Sequence, residues 1–318
     1  MSSPLHVVVG AAGATGRRLV RRLADAGHRV RAVSRDGADL GVPGVEARAA
    51  DARDAAGVRR LIEPDSVVYH CAMPPITRWA NDFPPLTSAL LEAASVTGSR
   101  LVYADSTWMY GRMTGPMDDR TPVRPVSQKG VLRAFMAEQI LHAAAAGRVR
   151  ASLVRAGELY GPQTRSMIAD NVFAALARDR TATWYGDADQ PITPTFIDDF
   201  AATIAAVGTR DQSTEGVWLV PHPEPTTGRR LVAEAARQAG TRPRLREVRS
   251  GLLRALGTLV PLAREATELV YQFEQPFVLD GRRTAQAFDL TPTPYADGIA
   301  ACLAPLDTRR PSSSGAAR

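Results

Sequence analysis

The chain has 318 residues, enough for one large domain or two smaller ones with a buried core. Its two cysteines, Cys71 and Cys302, form neither a disulfide framework nor a metal-binding spacing, which suits a reducing, cytoplasmic setting and predicts no metal site. The net charge of +6 comes from arginines scattered among Asp and Glu, not from a basic block interleaved with aromatics, so nucleic acid is not an expected partner.

The opening residues MSSPLHVVVG have no basic n-region and no long apolar h-region, so they do not read as a signal peptide. No apolar run is long enough to span a bilayer. In chain order, Leu5–Val9 is a short apolar strand, followed by a glycine turn and a helical pattern closed by Gly27. Arg29–Ser34 alternates as a second strand and Val45–Ala50 reads as a third, with a helix after it in DAAGVRRLI. Ser66–Cys71 and Arg100–Asp105 are further strands around the helix PLTSALLEAASVTG. A long helix follows at Ser127–Ala146, then a sixth strand at Arg150–Ala156. Strands alternating with helices predict an α/β fold, a doubly wound parallel sheet of the Rossmann type.

After Tyr160 the rhythm breaks. IADNVFAALARD and PTFIDDFAATIAAVG read as helices, and Gly216–Pro221 as a strand returning to the sheet. Beyond Pro225 the pattern predicts helices and Pro-rich connections. The expected division is a cofactor-binding domain over 1–160 with 194–222, a smaller and mostly helical substrate lobe over 161–193 with 223–306, and a disordered polar tail over 307–318.

VVVGAAGATGRRLV places Gly10, Gly13 and Gly16 between a strand and a helix, with Ala14 and Thr15 in the same turn. A bare backbone admits a diphosphate, and the helix N-terminus offers free N–H groups and a positive dipole end. At the end of the second strand, Ser34 and Arg35 offer a hydroxyl and a guanidinium that suit a 2′-phosphate, so NADP(H) is expected over NAD(H). Asp36 stands one or two residues beyond the ribose position; a small error in the strand boundary brings it into play. Asp51, with Ala52 after it, is a candidate for the adenine amino group or for capping the next helix. Cys71, Ala72 and Met73 leave the fourth strand towards the same crevice, and His70 is expected to be a packed histidine.

These residues resemble the extended short-chain dehydrogenase/reductase family, also called the NAD-dependent epimerase/dehydratase family. The resemblance covers about residues 5–300 and rests on GAAGATG, the strand end at Asp51, VVYHCAM, LVYADSTWMYG, RAGELYGP and TFIDDFA. It implies a Ser or Thr after the fifth strand, then a Tyr and a Lys four residues apart on the next helix. Ser106 fits the first position, but no tyrosine occurs between Tyr110 and Tyr160. Matching Pro125, Ser127 and Gly130 to the family pattern puts Lys129 at the tyrosine position and Arg133 at the lysine position; a second register puts Lys129 at the lysine position and Pro125 at the tyrosine position.

Lys129 is the only lysine in the chain. Arginine is a fixed cation, whereas lysine exchanges protons when burial and a neighbouring cation disfavour its charge. The resemblance therefore implies Lys129 as proton donor or oxyanion stabiliser, Ser106 as its hydrogen-bond partner and Arg133 as ribose clamp. Tyr110 is the alternative acid, and Asp105 either orients Lys129 or caps the turn. The expected reaction is hydride transfer to or from a carbonyl or activated alkene. The alternatives are a redox-neutral epimerase, dehydratase or cyclase, and a non-enzymatic cofactor sensor. The segment before FIDD holds no arginine, unlike many relatives that act on nucleotide sugars, so a small non-nucleotide metabolite is expected, with Arg282 or Arg283 as possible substitutes. Trp184, Tyr185, Tyr271, Phe273 and Phe277 are expected to be mostly core, some lining a pocket. Helices like those around Leu86–Val96 and Ser127–Ala146 form dimers in the family, which implies a homodimer.

Overall fold

Leu5–Val9 is buried along its whole length, as a strand with helices on both faces must be. A computed structural model describes residues 3–210, 214–249, 251 and 267–307. Its strands are β1 (Leu5–Val9), β2 (Arg29–Ser34), β3 (Glu46–Ala49), β4 (Val67–His70), β5 (Arg100–Ser106), β6 (Arg150–Ala156), the short β7 (Leu159–Tyr160), β8 (Ala182–Tyr185), β9 (Pro191–Ile192) and β10 (Thr195–Phe196), then β11 (Gly216–Leu219), β12 (Thr226–Thr227) and β13 (Leu245–Val248). The helices to the end of α7 are α1 (Ala14–Asp25), α2 (Ala55–Arg59), α3 (Trp79–Thr97), α4 (Gln128–Ala145), the single turn α5 (Ala174–Leu176), α6 (Ile197–Thr209) and α7 (Gly228–Ala239), with two more at Arg282–Phe288 and Tyr295–Asp307.

Seven strands form one parallel sheet in the order β11-β6-β5-β4-β1-β2-β3. The chain winds outward in both directions from β1 and β4, so the crevice between their C-terminal ends is the switch point at which ligands bind in such sheets. The apolar contacts of α1 and α6 build the core on one face of the sheet, and those of α3 and α4 build it on the other. The doubly wound parallel sheet is thus as expected, and Gly216–Leu219 does return to its edge beside β6.

Three local expectations change. The helix expected from Pro85 starts six residues earlier, at Trp79. The Trp79 indole donates to the Pro74 carbonyl at 2.9 Å, and its ring packs edge-on against Phe83, which holds the first turn ahead of the two prolines. The segment around IADNVFAALARD is π-helical over Ala169–Phe173 before the α5 turn. Beyond Pro225 the chain is not purely helical, because β12 pairs with β9 and β13 pairs with β8. Among the described residues no helix is long and apolar enough to cross a membrane, and no His, Cys, Asp and Glu cluster could hold a metal ion. The tail expected beyond Asp307 lies outside the described residues.

Candidate active site

The first turn of the site is forced open by glycine. Gly10 sits at φ +89°, and a Cβ there would lie 2.4 Å from the Ala72 nitrogen at the exit of β4. A Cβ on Gly16 would lie 2.3 Å from the Gly10 carbonyl oxygen. Gly13 caps α1 without a side chain, leaving the first-turn N–H groups of Ala14 and Thr15 available to an anion at the crevice. Cys71 and Ala72 pass directly against this turn, and the Cys71 N–H donates to the Val9 carbonyl at 2.9 Å. Burial pushes the Cys71 thiol up to about 12. Met73 is exposed at the rim.

At the tip of β2 the Ser34 hydroxyl donates to an Asp36 carboxylate oxygen at 2.8 Å and accepts the Ala38 N–H at 3.1 Å. That hydrogen bond holds the exposed Asp36 carboxyl below the usual carboxylate range. Arg35 is exposed beside it. The Asp51 carboxylate takes the Arg53 backbone N–H at 3.0 Å and the Arg53 guanidinium at 2.7 Å, which lowers it to about 2. Asp54, not Asp51, stands at the N-cap of α2. Ala52 is buried against the sheet.

Lys129 and Arg133 are 4% and 5% exposed and lie one turn apart on α4. Ser127 caps that helix, its hydroxyl oxygen accepting the Gly130 N–H at 3.0 Å. The Lys129 amine donates to Glu268, a partner brought in from far along the chain. Arg133 donates to the Tyr103 hydroxyl at 2.9 Å, and its guanidinium lies 4.8 Å from the Trp79 ring centre and 4.7 Å from that of Phe83. Asp105, with its side chain fully buried, joins two cations: it accepts from Arg155 at 3.0 Å and lies 3.6 Å from Arg133. Asp105 thus faces Arg155 and Arg133, not Lys129.

Ser106 ends β5, and its hydroxyl oxygen is buried with no hydrogen-bond partner among the described residues; the Arg133 Nε is in the same condition. Buried polar atoms left unpaired within the protein suit a ligand that supplies the missing bonds. Tyr110, the alternative acid, is 1% exposed; its hydroxyl accepts from Arg155 at 2.7 Å and donates to the Asp118 carbonyl at 3.2 Å. Burial also raises its pKa, and Tyr110 is packed in the same apolar cluster as Met109 and Met117. His70 is likewise packed, 3.0 Å from the Thr87 hydroxyl, and burial lowers it to about 3.

Trp184, Tyr271, Phe273 and Phe277 are buried in one apolar cluster that also holds Met109 and Tyr110. The cavity beside Trp184, Tyr185 and Phe273 is about 10 Å³ in volume, room for a water molecule and not for a substrate. Three groups escaped the sequence reading. Arg155 could have been noticed as a charge inside a buried strand. Glu268 gives no local signal, because it meets α4 only through the fold. Glu158 follows β6, accepts the Met167 N–H at 2.9 Å, and is raised by burial from 4.5 to about 7.

Between those two values folded Glu158 keeps a proton that the unfolded chain has lost, so this group weakens the fold as pH rises through that window. His70 and His222 (each lowered by burial to about 3) and His6 (to about 4) act oppositely, weakening the fold as pH falls below 6.5. Glu158→Gln removes only the first effect. By urea unfolding the variant is expected to gain stability over the parent at about pH 8 and to match it at about pH 4. An equal difference at both pH values would refute this assignment.

A family model described as the NAD dependent epimerase/dehydratase family matches residues 6–220. Among curated proteins the chain is 27% identical over 164 residues to an uncharacterized UDP-glucose epimerase, YtcB, of Bacillus subtilis (strain 168); the match covers 48% of this chain, which spans about half (52%) of that relative's length. Among solved structures it is similar to a UDP-glucuronic acid 4-epimerase from Bacillus cereus in complex with UDP-glucuronic acid and NAD, at 19% identity and a TM-score of 0.77, covering 96% of this chain and 99% of that one. It is also similar to a dTDP-glucose 4,6-dehydratase from Bacillus anthracis in complex with NAD, at 14% identity and a TM-score of 0.78, covering 97% and 98%. These complexes hold NAD, which overturns the expectation of NADP(H). The physical reason lies at the tip of β2: the Asp36 carboxylate sits on Ser34, where it would repel a 2′-phosphate.

Proposed function

The chain belongs to the NAD dependent epimerase/dehydratase family, and on that premise we propose that it is an NAD-dependent enzyme that moves a hydride at an oxygen-bearing carbon of a small metabolite, with Lys129 handling the proton. Gly10, Gly13, Ala14, Thr15 and Gly16 would hold the diphosphate, Asp36 the adenine ribose, Asp51 and Ala52 the adenine, Cys71 to Met73 one wall, and Arg133 the nicotinamide ribose. NAD, when bound, supplies a hydride acceptor and donor. The observation that carries the reading is a pair of buried atoms without a hydrogen-bond partner among the described residues: Ser106 Oγ, next in sequence to Asp105, and Nε of Arg133, which lies 3.6 Å from Asp105 and one helical turn from Lys129.

In this reading the Lys129 Nζ gives a proton to the substrate oxygen as the carbonyl is reduced and takes one back in the reverse direction. The Ser106 hydroxyl bonds the same oxygen, and Arg133, a permanent cation, stays fixed. A second reading, in which the substrate is oxidised and reduced again with no net redox change, is favoured by the similarity to an epimerase and a dehydratase.

A substrate without a nucleotide diphosphate is supported by the commitments of the candidate arginines: Arg282 pairs with Asp280, and Arg283 pairs with Asp119 while stacking 4.2 Å over Trp218. The substrate lobe is assigned to 161–193 with 223–306, and a homodimer is assigned to the outer faces of α3 and α4. Val96, Val131 and Phe135 are exposed on those helices, and light scattering at twice the monomer mass tests that assignment.

The functional test is a panel of ketones, enones and sugar substrates followed by reduced-cofactor absorbance and by product analysis. Lys129→Met is expected to keep NAD affinity and to lose about 100-fold or more in turnover. Full turnover by that variant would end the assignment of Lys129.

A further inference from the structure

The N-terminus of α4 has no vacant donor. Ser127 accounts for two of its first-turn N–H groups, its hydroxyl oxygen accepting from Gly130 at 3.0 Å and its carbonyl from Val131 at 2.9 Å. Glu268 accounts for the other two, one carboxylate oxygen accepting from Gln128 N–H at 2.8 Å and from Lys129 N–H at 3.3 Å. The second oxygen of the same carboxylate accepts from the Lys129 side-chain amine. One carboxylate therefore both caps the helix end and accepts from the amine.

The residues that follow this acid, 269–273, are anchored. Leu269, Val270, Tyr271 and Phe273 are buried. The Tyr271 hydroxyl donates to the Trp108 carbonyl at 3.1 Å, Gln272 reaches Glu158 at 3.4 Å, and the Phe273 ring packs against Trp184. Trp108 lies in the turn that follows β5, so the segment is tied to that turn and, through Glu268, to α4.

We infer that Glu268 is a positioning residue, which holds the Lys129 amine in the place where it meets the substrate oxygen. The inference rests on the reading of Lys129 as the proton-handling group. Its physical logic is rotational. A tyrosine, the residue the family pattern places here, reaches its target on a stiff ring with two side-chain torsions. A lysine has four and loses more rotamer freedom when fixed. A chain that puts an amine at this position needs a second group to aim it, and a carboxylate seated on a helix N-terminus is itself rigid, stabilised by two backbone N–H groups and the dipole.

The lone lysine makes the test specific, because reductive methylation followed by peptide mass spectrometry reads Lys129 separately from the chain's N-terminal amine. An amine engaged as donor to a carboxylate is slow to attack an electrophile. In Glu268→Gln, methylation of Lys129 is expected to run about tenfold faster, the worth of one charge-assisted hydrogen bond, with Glu268→Asp returning part of the protection. Ser127→Ala weakens the same helix end without touching the amine and is expected to leave the rate within about twofold of the parent. A parental rate in Glu268→Gln, or an equal acceleration in Ser127→Ala, would overturn the inference. The functional reading fails differently: saturating NAD would then leave Lys129 methylation in the parent protein unchanged whatever the Glu268 variants do.

Discussion

Asp105→Ala is expected to destabilise the protein by about 4 kcal/mol, because it strips the carboxylate from between two buried cations. The Asp105 side chain is 0% exposed, with Arg155 at 3.0 Å and Arg133 at 3.6 Å. Neither arginine can lose its proton to relieve the change, and both are buried. For a chain of this size the loss corresponds to a fall in melting temperature on the order of 10 °C. Tyr110→Phe removes only the hydroxyl that Arg155 meets at 2.7 Å, so its cost is smaller, about 1–3 kcal/mol. The same Asp105 change releases Arg133 from the end of β5 and should weaken NAD binding in any variant that still folds. Calorimetry of the two variants side by side checks the order; a melting temperature for Asp105→Ala within about 2 °C of the parent would contradict the account of a buried charge cluster.

Gly10→Ala carries the second large effect. Two penalties meet at this position: a left-handed φ of +89°, and a Cβ that would lie 2.4 Å from the Ala72 nitrogen and 2.5 Å from its Cα. The obstructing atoms are backbone, so nothing flexible can swing aside, and β4 must part from β1 at the switch point. The expected cost is about 3 kcal/mol together with loss of NAD binding. Gly27 is the internal control. Its φ is +80° but a Cβ there meets open space, so Gly27→Ala is expected to cost only about 1–2 kcal/mol and to leave NAD binding intact. Similar losses at both glycines would mean that crowding at the crevice plays no part.

The main sheet was legible because its signals are local. Leu5–Val9, Ser66–Cys71 and Arg150–Ala156 are apolar runs bounded by turns, and the helices between them carry their own periodicity. The short pairings β8 with β13 and β9 with β12 were not, because each joins segments dozens of residues apart and only the folded lobe selects the partner. Trp79 starts α3 ahead of two prolines through a tertiary contact that local propensity does not encode. The cofactor preference was misjudged at Ser34 and Arg35 because the side chain that decides it, Asp36, folds back onto the strand end. Lys129 and Arg133 were readable as neighbours one turn apart on the long helix, and both are buried there. Glu268 was not, since it stands 139 residues along the chain from Lys129 and meets it only in the folded protein.

The central claim is that NAD lies along the β1–β4 crevice with the single lysine beside its reactive end. Reductive methylation of Lys129 with and without saturating NAD tests it most directly. The account predicts that bound NAD slows the reaction about tenfold or more; an unchanged rate at a concentration that calorimetry shows to be saturating would contradict it.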